Sequence, residues 1–392
     1  MMNLSFFIAD RIRFKDRIAV ISIAVSFLVI IIAVAVSSGF RQEIRRGISD
    51  ISGDVMLMPP GRSVLESSSP IEKDASYLPY VEDMDGVSQI RPAVYCPGLL
   101  KQKDELYGVI FKGTEDCSMF PDSVALAASI PAGFARKSGI CPGDRIFAYF
   151  ISDKVKVRQF NVVSTYEPLV ETGTNPVIRA RLADLQRLEG WNDNQVSCVE
   201  IILDDAHKSP ESIMDAAAEA GTLMTVYSSD DDSSVIAASS VSRFRLMFDW
   251  LDVIEFNVFF ILMLMTVVAG FNMISSLLIL LFENISTIGL LKSLGMTDRS
   301  ISKVFLTSSA SLVLKGMFWG NLVAVLFCMV QGTTHLLKLD PENYFVSYVP
   351  VHLDLSAILA ADAAAFAVIM LLLMIPSLFI SKVDPAQTVR VR

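Results

Sequence analysis

Lys315 and Asp362 stand where a charge costs most, because each interrupts a long apolar run. Ionisable side chains at such a depth are rare, and they need a partner or a wet cavity. Lys315 is about twelve residues into the run 304–330, roughly 18 Å along a helix. Asp362 is about eight residues into the run 355–380, entered from the opposite end. Their similar depth allows a Lys315–Asp362 ion pair that would let both be tolerated; the other reading is that each reaches water on its own. Gly316 and Gly320 beside Lys315 make the small-xxx-small spacing that lets helices approach closely.

Other chemistry is sparse. The sequence contains no G-x-x-x-x-G-K-[ST] phosphate loop, no G-x-S-x-G elbow and no H-E-x-x-H. Five cysteines (Cys96, Cys117, Cys141, Cys198 and Cys328) form no C-x-x-C pair, and three histidines cannot complete a zinc set. The cysteines read as small buried hydrophobes, with a Cys96–Cys117 disulfide open if both lie outside the cytosol. Asp230-Asp231-Asp232 lacks the regular oxygen spacing of a calcium loop and reads as a solvated hinge, so no metal site is expected. A formal charge of −9 without a basic stripe argues against nucleic acid. The chain reads as non-catalytic, so any energy must come from another protein.

The elements that position these residues follow from hydropathy. The composition is 52% hydrophobic and 19% charged, with a mean hydropathy of +0.49, which marks a membrane protein with substantial polar mass. The run 18–36, "IAVISIAVSFLVIIIAVAV", matches the ~20 residues that cross a bilayer. Ala33-Val34-Ala35 mimics a signal-peptide cleavage site, but the run exceeds the ~7–15 residues of a signal h-region. Three more spans are expected at 252–282, 304–330 and 355–380, and one helix from about 234 to 282 would form a stalk. Alternating stretches such as "KVKVRQFNVV" and "QVSCVEIILDD" predict strands, while "LADLQRL" and "PESIMDAAAEAG" predict helices.

The resulting fold class is an α-helical membrane protein with four transmembrane helices and a large α+β extracytoplasmic domain between helices 1 and 2. Its parts are 1–40 (N-terminus and first span), 41–250 (α+β domain with stalk) and 251–392 (the remaining spans). Arg11, Arg13, Lys15 and Arg17 precede span one; Lys292, Arg299 and Lys303 follow span two; Lys382, Arg390 and Arg392 follow span four. The positive-inside rule places these three segments, and both termini, in the cytoplasm.

That topology puts "FENISTIGLLKSLGMTDRSISKV", residues 282–304, inside. Ile288, Leu291 and Leu294 are spaced i, i+3, i+6, with Leu290 and Leu294 four apart, giving an apolar stripe. Gly295 suits a helix C-cap, Lys292 the last turn, Thr297 the next N-cap, with Asp298 in the following first turn. A short helix is expected at about 286–295, either lying in the lipid interface or docking into the groove of a cytoplasmic partner.

"NMISSLLILLFENISTIGLLKSLGMTDRSISKVF" resembles the coupling segment of FtsX/MacB-type ABC transporter permeases. "SSGFRQEIRRGI", "FDWLDVIEFNVFFILMLM", "ENYFVSYVPVHLDL" and "DPAQTVR", with the start "MNLSFFIADRI", resemble the LolC/LolE lipoprotein-releasing branch. The resemblance implies a MacB-like periplasmic core domain, a bacterial inner-membrane location, and dimers of permeases working with a homodimer of a separate cytoplasmic ABC ATPase. The second permease is identical or different. ATP and Mg would be bound by that ATPase and no cofactor by this chain. Glu283, Ile288, Gly289, Leu291, Lys292, Leu294 and Gly295 would form the ATPase contact. Phe40, Phe256, Phe259 and Phe260 would line lipid entry for a lipoprotein cargo. A hairpin with its tip at Leu188–Gln195, carrying Trp191 and Asn192, would hold a periplasmic lipoprotein carrier. The movement would be mechanotransmission rather than passage through a pore. MacB-like efflux of peptides or toxins is disfavoured because those permeases usually carry their ATPase on the same chain. FtsX-like signalling to a cell-wall hydrolase fits a smaller insert.

Overall fold

The computed structural model describes residues 17–61, 69–102, 105–116, 120–121, 124–151, 155–170, 175–230 and 232–377. The flanking basic residues Arg11, Arg13, Lys15, Lys382, Arg390 and Arg392, together with Cys117 and Asp231, lie outside them. The chain divides into two compact units, one of Met1–Arg41, Leu251–Lys338 and Tyr348–Arg392, the other of Gln42–Trp250 and Leu339–Ser347.

Among the described residues, four helices are long and apolar enough to cross a membrane: Arg17–Ser52, Arg245–Glu283, Asp298–Thr334 and one within Leu355–Ser377. The first unit packs their apolar faces around Ile23, Phe27, Ile30, Met273, Phe305 and Ile369. Glycines bring the first and third of these helices together. A methyl added at Gly316 would lie 2.6 Å from Ile23 Cγ2, and one at Gly320 would strike the Ala24 carbonyl oxygen. The segment after the third helix is folded back by a buried side chain. The Gln331 amide donates to the Leu337 and Val349 carbonyls, and its oxygen accepts from the Leu337 N–H at 3.0 Å.

The second unit is α+β. Its strands are β1 (Val55–Met58), β2 (Ile71–Glu72), β3 (Val87–Gln102), β4 (Glu105–Thr114), β5 (Ala127–Pro131) and β6 (Arg145–Ile151). They continue with β7 (Val155–Tyr166), β8 (Val177–Arg181), β9 (Gln195–Val196), β10 (Cys198–Leu203) and β11 (Ile236–Ser239). The main sheet runs β11-β1-β10-β3-β4-β8-β5-β7-β6, and β6 returns to pair with β3. The 16 residues of β3 therefore serve two lobes. Its first half, Val87 to Ala93, pairs with β10, while Gly98–Lys101 pairs with β4 on one edge and β6 on the other. The second lobe closes into a small barrel. Its interior is filled by Phe111, Phe150 and Phe160, with ring centroids 4.6–6.1 Å apart, as closure of a strand ring demands.

The expected helix from 234 does not form. Ile236–Ser239 pairs antiparallel with Val55–Met58, Ser239 caps a four-residue helix Ser240–Arg243, and the long helix begins only at Arg245. Satisfying the open edge of β1 outweighs the helical propensity of "IAAS". The strands read from "KVKVRQFNVV" and "QVSCVEIILDD" are β7 and the β9–β10 pair, and the two predicted helices are Leu182–Glu189 and Pro210–Tyr227. Cys96 is a buried free thiol in β3.

Candidate functional site

The segment after the second apolar helix is built as a separate short helix. That apolar helix ends at Glu283, and the chain breaks at Asn284, whose side chain donates to the Leu280 carbonyl at 2.9 Å. The short helix runs Ile285–Ser293. At its end the Gly295 N–H donates to Lys292 O, and the Met296 N–H to Leu291 O, both at 3.0 Å. This is the paired bonding of a Schellman stop, and Gly295 supplies the left-handed residue it needs at φ +87°. Thr297 then caps the third apolar helix by accepting from the Ser300 N–H, and Lys292 Nζ reaches Asp298 Oδ1 at 2.9 Å across the turn.

The apolar residues divide between two faces. Ile288 is 1% exposed, Gly289 is buried, and Leu291 and Met296 pack against the core of the membrane unit. Leu290 and Leu294 are 56% and 76% exposed, and Phe282, before the break at Asn284, is 70% exposed. The stripe read from Ile288, Leu291 and Leu294 is therefore not one outward face. Ile288 and Leu291 hold the short helix to its own unit, and the outward pair is Leu290 and Leu294, four apart. Glu283, at the start of the segment, is also exposed.

Asp362 and Lys315 do not pair. Asp362 is buried and accepts from the Asn321 side-chain amide at 2.5 Å, whereas Lys315 is exposed. Six residues separate Lys315 from Asn321, which turns the helix by about 240° and puts the two on different sides. The partner is Asn321, a neutral donor in a largely apolar stretch that the sequence reading did not single out. Of the four phenylalanines expected at one lipid entry, Phe256, Phe259 and Phe260 are exposed on the second apolar helix, while Phe40 is 7% exposed and packed inward. Helical spacing alone could not separate them.

The expected carrier hairpin is a compact turn. Leu188 is buried in the core of the second unit, and Trp191 packs against that core. Gly190, at φ +83°, ends the helix Leu182–Glu189. The Gln186 amide donates to the Asp193 and Gln195 carbonyls, and Gln195 Oε1 accepts from the Asn192 N–H. β9 pairs with β2 directly after the turn, whose exposed residues are Asn192, Asp193 and Asn194. Leu185 and Leu188 lie on the inward side of the preceding helix, which draws the tip onto the barrel.

Among the described residues no group of three His, Cys, Asp or Glu is arranged to hold a metal ion. The buried charges of the second unit are ordered by protein contacts. Asp54 accepts from the Leu203 N–H at 2.8 Å and from Ser49 Oγ at 3.0 Å. Burial nonetheless raises its carboxyl above the ordinary carboxylate range. Burial also pushes the Tyr95 phenol well above its usual value, reinforced by the neighbouring Glu200 carboxylate.

Residues 259–385 match the family of FtsX-like permease C-terminal domains. The chain is 21% identical to the lipoprotein-releasing system transmembrane protein LolC of Neisseria meningitidis serogroup B, over 96% of this chain and 94% of that one. It is 21% identical to the LolE protein of Haemophilus influenzae, over 98% and 99%. The solved periplasmic region of MacB from Actinobacillus actinomycetemcomitans aligns at 10% identity and a TM-score of 0.30, over 51% of this chain and 95% of that one.

Proposed function

Because the chain is an FtsX-type ABC transporter permease related to the LolC and LolE proteins, we propose that it releases lipoproteins from the membrane in which it sits, driven by a separate ATPase. It is a multi-pass membrane protein, and its curated relatives are transmembrane proteins of lipoprotein-releasing systems. In this reading the short helix Ile285–Ser293 faces the cytoplasm and docks through Leu290 and Leu294. The second unit faces the periplasm, and the first two apolar helices carry movement into it. A lipoprotein enters past Phe256, Phe259 and Phe260 and leaves on a soluble carrier.

The supporting observation is the division of one short helix into two faces. Ile288, Gly289 and Leu291 are anchored, while Leu290 and Leu294 are left outward between two bonded stops. An apolar pair on a helix with fixed ends is the form of a helix-in-groove contact. Near-complete coverage of the lipoprotein-releasing relatives supports the cargo.

Depletion of the protein followed by fractionation of membrane lipoproteins tests the reading. Outer-membrane lipoproteins should accumulate in the inner membrane. Normal departure would overturn lipoprotein release and leave peptide or toxin efflux, or signalling to a cell-wall hydrolase, as the roles to assay.

A further inference from the structure

The far end of the first apolar helix is held by a buried lysine and a half-buried arginine. The last four carbonyls of a helix lack helical partners, and the end carries about half a negative charge. Water usually satisfies them; here the second unit does. Lys112 Nζ, on β4, donates to the carbonyls of Asp50 at 3.1 Å and Ile51 at 2.7 Å, and lies 2.8 Å from the Glu200 carboxylate. The Tyr95 hydroxyl, on β3, contacts Ile51 O at 2.6 Å and the same carboxylate. The Arg243 guanidinium donates to the carbonyls of Ser52 at 3.0 Å and Gly53 at 3.2 Å. Lys112 is 3% exposed and Glu200 is fully buried.

Two details make the joint stiff. A methyl at Gly53, which sits at φ +66°, would lie 2.9 Å from Glu200 Cβ, so the helix end rests directly on β10. Arg243 lies just before Arg245, where the second apolar helix begins, so one side chain ties the end of one long helix to the approach of the other. A frayed helix end would absorb displacement by local opening. An end whose carbonyls are bonded to cations at low local dielectric passes displacement on, because each such bond is stronger than in water.

Resting on the lipoprotein-release reading above, we propose that Arg243, Lys112, Glu200 and Tyr95 are positioning residues of the transport cycle. They form a joint that makes both helix ends move the sheet as one body.

The test uses the full chain reconstituted with its ATPase. Arg243→Met should lower lipoprotein released per ATP hydrolysed at least tenfold while hydrolysis stays within twofold. Arg243→Lys should recover release to within threefold of wild type, and Arg245→Met, at an exposed pair with Asp249, should change nothing. Unchanged release per ATP in Arg243→Met would overturn the joint. Should that variant fail to fold, hydrogen exchange on the wild-type chain decides. Amides 51–54 should exchange as slowly as those of β10, and exchange a hundredfold faster would overturn the proposal. If the wild type releases no lipoprotein, the cargo reading fails separately. The joint is then judged by the ATP-dependent change in exchange of the helix Pro210–Tyr227. That change should be present in wild type and absent in Arg243→Met; its presence in both would refute the joint.

Discussion

The Met296 N–H donates to the Leu291 carbonyl at 3.0 Å, so the chain leaving the short helix closes back onto the residue that anchors it. The bond fixes where Leu294 points, because Leu294 lies between the two. It depends on Gly295, since a left-handed conformation costs a residue with a side chain about 1–2 kcal/mol. Gly295→Ala is expected to weaken ATPase co-purification several-fold while lowering the melting temperature by only a few degrees. Gly295→Asn, better tolerated at such a φ, should retain most of it. Equal retention by both variants would show that the turn does not set the docking face.

Leu294→Asp, alone or with Leu290→Asp, is expected to reduce ATPase co-purification at least tenfold, about 1.4 kcal/mol. The purified protein should melt as wild type does, because both side chains are exposed. Leu291→Asp should instead lower the melting temperature, since Leu291 packs against the membrane unit. If Leu294→Asp binds the ATPase normally, the outward face is not the contact.

Gly320→Leu is expected to destabilise the membrane unit by about 1–3 kcal/mol, because its side chain must displace the first helix at Ala24. Gly221→Ala gives the contrasting result. It meets nothing within 4 Å in the helix Pro210–Tyr227 and should stabilise by up to about 1 kcal/mol. Thermal unfolding of the two purified variants checks both signs.

The pH dependence of stability is expected to carry a contribution from Asp54. Burial raises its folded value above the unfolded 3.8, so the folded state binds the proton more tightly. That contribution is fully present below the unfolded value and is lost as pH rises through the folded one. Asp54→Asn keeps an oxygen for the Leu203 N–H and removes the ionisation. Its melting temperature relative to wild type should therefore rise between pH 4 and pH 7. A difference that is flat or falling over that range would contradict the assignment.

Hydropathy made the four apolar helices legible, and the Gly295 and Thr297 signals marked both ends of the short helix. Which leucines face outward was not legible, because Leu290 and Leu291 are adjacent and a helix of nine residues is too short for its apolar spacing to choose between them. The strand Ile236–Ser239 was hidden for a different reason: its pairing partner, Val55–Met58, lies far away in sequence. The buried joint left a fainter trace. Lys112 beside Phe111, and Glu200 within "CVEIIL", are charges in strands otherwise apolar at those positions, and two such residues of opposite sign are a signal for a buried pair. Asp362 drew attention to Lys315 by charge, when a neutral amide was its partner.

The pairing of β11 with β1 also has a consequence for biogenesis. β1 is complete once residue 58 has been made, yet the strand that covers one of its edges is not synthesised until residues 236–239. A nascent chain that has not reached that point presents an open apolar edge, a template for pairing with other chains. The strand that closes this edge lies just ahead of the second apolar helix, which starts at Arg245. Completion of the sheet is thereby timed to the arrival of the next membrane-capable segment, and a pause in translation between the two leaves the chain most exposed to misassembly.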